Sequence, residues 1–212
     1  PADDERRNRA RAAFDEAVAA GLAGATWLDP IEEVSLRGFV RQAFYSDLVV
    51  LGQREAGEGD DPGVPADFVE TVLVDSGRPV LVVPYIGLQA TLGRRIMVAW
   101  KESRETARAV AAALPLLAAA DRVDVVTWAA ERSGQARRQP LLGEQLARHG
   151  VQVHQHDYGD EPGDIGAYIL SAAADLNADL IVMGGYGHSR AREWVLGGAT
   201  RTLLASMTVP VL

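Results

Sequence analysis

The chain has 212 residues, 48% of them hydrophobic, enough for a sizeable core in one large or two small domains. A net charge of −8 and the lack of any lysine- or arginine-rich run argue against a nucleic-acid partner, and no apolar run reaches the length of a membrane span. Zero cysteines exclude disulfides, thiolate metal sites and cysteine nucleophiles, and fit a reducing compartment.

Taken in order, Asp4 to Ala20 carries Ala10, Ala13, Phe14, Ala17 and Val18 at helical spacing, which predicts an amphipathic helix ending near Gly21. Ala25 to Leu28 reads as a short strand closed by Asp29-Pro30, and Leu36, Phe39, Val40, Ala43 and Phe44 mark a second helix. Leu48 to Leu51 is a buried-strand signal ending at Gly52. A polar loop from Gln53 to Pro65, a helix over Asp67–Asp75 and a strand over Pro79–Val83 follow, then a linker from Tyr85 to Gly93. Ile96–Trp100 is the next strand, and Glu105–Ala119 an alanine-rich helix that Pro115 should kink. Val123–Trp128 is a strand, Leu141–His149 a helix stopped by Gly150, and Val151–His154 a strand. Asp164 caps a helix over Ile165–Asn177, Leu180–Met183 is a continuous apolar run, Arg201–Ala205 a short helix, and Met207–Leu212 a closing strand.

Strands alternating with helices predict an α/β fold with a parallel sheet and right-handed crossovers. The chain also repeats itself. Ser46-Asp-Leu-Val-Val-Leu-Gly52 matches Ala178-Asp-Leu-Ile-Val-Met-Gly184, and Arg78-Pro-Val-Leu81 matches Val209-Pro-Val-Leu212 at nearly the same offset. This implies two copies of one unit, the second with five strands and the first with only three. The first lacks its opening strand, helix and second strand, as expected of a fragment or of a chain from which an N-terminal segment was removed.

Gly184, Gly185 and Gly187 end the Leu180–Met183 strand abruptly, and Gly197 and Gly198 stand before a helix start with Thr200. Glycines let backbone N–H groups approach a ligand closely, and a helix start adds partial positive charge, so the arrangement suits a phosphate. His188, Ser189, Arg190 and Arg192 stand within reach as further donors, with a solvated turn as the plain alternative. In the first copy the corresponding loop is Gly52-Gln-Arg-Glu55, flanked by Glu58, Asp60 and Asp61, whose charge repels a polyphosphate.

The spacing Gly184-x-x-Gly187, nine residues, then Gly197, together with the tail Met207-Thr-Val-Pro-Val-Leu212, resembles the universal stress protein family. The resemblance implies a doubly wound parallel five-stranded sheet of order 3-2-1-4-5 in the second copy and a partial copy of the same unit before it. It divides the chain into an incomplete, degenerate first domain (1–85), a linker (86–93) and a complete second domain (94–212). It further implies a cytoplasmic stress-response module that senses or carries ATP or another adenine nucleotide, with magnesium. Phosphates would sit on Gly184, Gly187, His188, Ser189, Gly197, Gly198 and Thr200, and base and ribose at Ala99, Trp100 and Lys101. Main chain near Thr127 to Ala129 would face the base edge.

Two positions depart from the family pattern. Gly198 replaces a Ser or Thr, with Thr200 two positions on as a substitute hydroxyl, and Lys101 replaces an Asp. Family members also pair their last strands about a two-fold or pseudo-two-fold axis, which makes Val209–Leu212 and Pro79–Val83 candidates for pairing within one chain or between two. No Gly-x-Ser-x-Gly elbow, P-loop lysine or paired-carboxylate magnesium signature occurs, so catalysis has no residue to rest on. His154-x-His156-Asp157 is the one metal-like spacing, with two water-facing histidines as the simpler reading. An interaction module of the same fold without nucleotide, and a slow nucleotide hydrolase, remain as alternatives.

Overall fold

The computed structural model of the chain describes residues 2–28, 35–54, 64–87, 91–128, 140–159, 163–185 and 198–212. Its helices are α1 (Ala2–Ala19), α2 (Leu36–Ala43), α3 (Phe68–Asp75), α4 (Arg104–Ala119), α5 (Pro140–Ala147), α6 (Ile165–Asp175) and α7 (Gly198–Ser206). Its strands are β1 (Val49–Gly52), β2 (Val80–Val83), β3 (Arg95–Trp100), β4 (Arg122–Thr127), β5 (Val153–Asp157) and β6 (Leu180–Met183). None of the described helices is long and apolar enough to cross a membrane.

All named strand pairs are parallel, in the order β5-β4-β3-β6 and, separately, β1-β2. The C-terminal segment joins the two sheets. Val211 bridges Ile181 in parallel and Val82 in antiparallel sense, and Val82 and Val211 exchange N–H···O bonds of 2.8 and 3.0 Å. Helices cover both faces of the larger sheet, the arrangement expected of a doubly wound α/β unit. On one face α4 and α5 bury Val110, Ala113, Leu117, Leu142 and Leu146 against Ile96, Val98, Val123, Leu180 and Val182. The other face joins a cluster in which Ile169, Ala173 and Leu203 of α6 and α7, and Val40 and Val72 of α2 and α3, lie with Met97, Val126 and Ile181 of this sheet and Val82 of β2.

Three expectations need correction. Ala25–Leu28 is not a strand; instead the Trp27 ring lies 5.5 Å from Phe14, and the Arg11 guanidinium stands over both rings. An aromatic contact on α1 takes the place of a strand neighbour. α1 itself forms but hardly packs, since of its apolar stripe only Phe14 and Ala17 are half-buried; alanines offer too little area to anchor a helix. α7 starts at Gly198, three residues before Arg201. Pro115 lies inside α4, where the sequence places it.

Gln53 distinguishes the end of β1 from the end of β6. It occupies the position that Gly185 has in the repeat, is buried, donates from Nε2 to Leu204 O (2.9 Å) and accepts from Tyr85 N (3.1 Å) at Oε1. Leu204 lies in the last turn of α7, so Gln53 satisfies a carbonyl that the helix leaves unpaired. A side chain that ties the end of β1 to α7 thus stands where a glycine, Gly185, follows β6.

Candidate functional site

The order β5-β4-β3-β6 reverses at β3 and β6: connections from β3 lead outward to β4, while β6 returns to the other side. In open α/β sheets, ligands bind at the carboxyl ends of the strands beside such a reversal. The strand ends here are Ala99-Trp100-Lys101 and Met183-Gly184-Gly185, and α4 and α7 begin at this edge.

Local sequence fixes the start of α4. Ser103 caps α4 by accepting the Thr106 N–H at Oγ (3.2 Å). A Cβ built on Gly184 would lie 2.5 Å from Thr106 N and 2.7 Å from its Oγ1, so the missing side chain lets the first turn of α4 rest on the end of β6. Gly166 does the same for α7: a Cβ there would lie 2.6 Å from Thr202 Cβ and 2.9 Å from Ala199 O. Arg104 hydrogen-bonds Glu105 beside this edge and holds the Glu105 carboxyl below its ordinary value.

The sequence-predicted residues separate into groups. Gly184 sits at the end of β6 as a packing contact for α4, while Gly198 is exposed with nothing within 4 Å of a Cβ among the described residues, and Thr200 in the same first turn is buried. Ala99, within β3, lies on the face of Met97; Trp100 lies on the opposite face with Val125, Leu142 and Gln155. Lys101 is exposed. Gly187, His188, Ser189 and Gly197, with Arg190 and Arg192, lie outside the described residues.

The metal-like spacing resolves differently. β5 spans Val153–Asp157, two residues later than expected, so His156 is a strand residue whose Nε2 lies 2.7 Å from Oδ1 of Asp124 on β4. Asp124 is 2% exposed and also accepts two 2.8 Å hydrogen bonds from Arg122. Among the described residues no group of three His, Cys, Asp or Glu side chains is placed to hold a metal. His156 and Trp128 stack on Tyr158 at 6.5 and 5.7 Å. Sequence reasoning passed over Asp124; the available signal was an acid inside an apolar strand, two residues from an arginine.

Burial raises the Asp124 carboxyl, but hydrogen bonds from Arg122 and His156 and the charges alongside them outweigh it, and the net direction is downward. With a folded-state value below the unfolded one of about 3.9, its stabilisation is complete above that pH and is lost as pH falls through the folded value. Denaturant midpoints taken from neutral pH down to about 2 should fall more steeply below about pH 4 for the wild type than for Asp124→Asn. Parallel curves would contradict this account of Asp124.

The profile of the universal stress protein family matches residues 93–212. Among solved structures, a universal stress protein from Archaeoglobus fulgidus DSM 4304 superposes with a TM-score of 0.76 at 21% identity, covering 98% of this chain and 78% of that one. A functionally unknown protein from Pseudomonas aeruginosa PAO1 superposes at 0.59 with 16% identity, covering 95% and 76% of the respective chains. At these identities the likeness is one of fold. No curated protein matches the chain.

Proposed function

The chain belongs to the universal stress protein family, whose profile covers more than half of it, and from that premise we propose that the unit over residues 94–212 binds an adenine nucleotide at the β3/β6 edge. Family membership supports a role in stress response; the nucleotide, its site and the regulatory consequence are the proposed part. The observation that carries it is the convergence of two helix starts, α4 and α7, on the carboxyl edge where the strand order reverses. The residues present fit a polyphosphate. Among the described residues nothing lies within 4 Å of a Cβ built on Gly185 or Gly198, and Lys101 adds an exposed cation. The bound nucleotide would supply a charged phosphate chain; the protein's part is to hold it and change its surface, as a cytoplasmic sensor or regulator. Gly187, His188, Ser189 and Gly197 are proposed to complete the phosphate cradle, with Ala99 and Trp100 beside base and ribose.

Residues 1–85 are proposed as an incomplete copy of the unit, joined by a linker over 86–93, whose β2 pairs with the closing segment of the second copy. Gln53 filling the glycine position is the reason to place nucleotide in the second copy alone.

Calorimetric titration of wild type and Gly198→Ser with magnesium-ATP tests the reading. Space around Gly198 admits the side chain, and one added hydroxyl to a phosphate is worth about 1 kcal/mol, roughly five-fold in affinity. Saturable binding that tightens in Gly198→Ser is expected; no binding by either protein would overturn it.

A further inference from the structure

α7 begins at the proposed phosphate edge and ends against Gln53, which follows β1. We propose that Gln53 couples nucleotide occupancy at the start of α7 to the turn at residues 84–87, where an apolar patch reaches the surface. The coupling presupposes the nucleotide reading above and gives it a regulatory output.

A nine-residue helix is marginal by itself, because nucleating its first turn is unfavourable. Helix formation is cooperative, so partners that satisfy the two ends favour the same helical state and thereby strengthen each other. At the start of α7 the N–H groups of Gly198, Ala199 and Thr200 have no acceptor within the helix, and a phosphate would supply one. At its end Leu204 O has no donor within the helix and accepts Gln53 Nε2 at 2.9 Å. Between the ends, Leu203 is buried and Gly166 lets α6 lie against Ala199 and Thr202, so the middle of the helix is held by packing.

Gln53 passes the state of α7 on because both polar atoms of its buried amide are engaged. Nε2 donates to Leu204 O, and Oε1 accepts Tyr85 N at 3.1 Å. Two hydrogen bonds made through one amide polarise each other, so weakening the first weakens the second. The backbone of Gln53 stays fixed meanwhile, since its own N–H donates to Val83 O at 2.7 Å as β1 and β2 end. When the last turn of α7 frays, Nε2 loses its acceptor and Tyr85 N–H loses a firmly placed one. Tyr85 opens the turn that Gly87 N closes on Pro84 O, and Tyr85 and Ile86 are 52% and 59% exposed. Order at the start of α7 is thereby expressed at the surface, at the opposite end of the helix.

Hydrogen exchange at the Tyr85 amide, with and without saturating magnesium-ATP, reads the far end of this chain of contacts. Calorimetric titration of wild type and Gln53→Met with magnesium-ATP reads the near end; methionine fills the space of glutamine without either hydrogen bond. Gln53→Met should weaken ATP binding about three-fold, within the range of one hydrogen bond. Coupling is reciprocal, so ATP should slow Tyr85 exchange in the wild type by the same factor and leave it unchanged in Gln53→Met. Wild type that binds ATP without slower Tyr85 exchange, or Gln53→Met that binds as tightly as wild type, would overturn the coupling and leave nucleotide binding standing. Wild type that takes up no ATP would overturn both.

Discussion

Gly184→Val is expected to lower stability by about 2–4 kcal/mol, the range for a side chain forced into a closed backbone contact. The atom that a Cβ would meet at 2.5 Å is the backbone N of Thr106, which cannot rotate away. The first turn of α4 would have to lift from the end of β6, breaking the Ser103 cap and opening the apolar contact of α4 with Leu180 and Val182. Gly52→Val is the internal control. It lies at the same place in the repeat with nothing within 4 Å of a built Cβ among the described residues, and its urea midpoint should stay close to wild type. Equal losses in the two variants would show that the closeness of α4 to β6 is not what requires glycine at 184.

Asp179→Ala should cost a comparable amount, about 2–4 kcal/mol, because it leaves two part-buried backbone donors, Arg94 N and Arg95 N, without their acceptor. These N–H groups open the central strand, so the loss falls on the strand to which both β4 and β6 are paired. Asp47→Ala, at the exposed counterpart, should change stability by less than about 0.5 kcal/mol. Chemical denaturation of the pair measures the difference directly, and a harmless Asp179→Ala would contradict the clamp.

Much of the fold was legible because its strands are continuous apolar runs. Leu180–Met183, Ile96–Trp100 and Val123–Trp128 each lie within about a residue of the observed strand, since burial on both faces makes them mostly apolar, with Asp124 and Thr127 as buried polar positions in the last. β5 was misplaced because Val153–Asp157 is an edge strand with polar residues on both sides, and its histidines look like loop residues until Asp124 is known to lie beneath them. Ala25–Leu28 failed for the opposite reason: an apolar segment without a neighbouring strand packs its tryptophan on α1 instead. β1 reads as doubly buried from its sequence, yet Val50 is exposed, because burial depends on a neighbour that local sequence does not specify.

For the site, the glycine pattern points to the β6 edge, where the glycines differ in their surroundings. A Cβ on Gly184 would meet the first turn of α4, whereas among the described residues one on Gly198 would meet nothing within 4 Å. Spacing alone does not separate these cases; a built Cβ does. Asp179 and Gln53 were not singled out because their partners lie 85 and 151 residues away along the chain. No local periodicity reports such distances.

The most direct test of nucleotide binding in the second copy is to denature the purified protein, identify what is released by mass spectrometry, and titrate the stripped protein with magnesium-ATP. Stoichiometric adenine nucleotide in the release, or saturable binding of one per chain that Gly187→Val abolishes while the fold survives, is the expected result. A protein that releases no nucleotide and ignores ATP would contradict it, and would make Lys101 and Gly198 the marks of a family member that works through its surfaces alone.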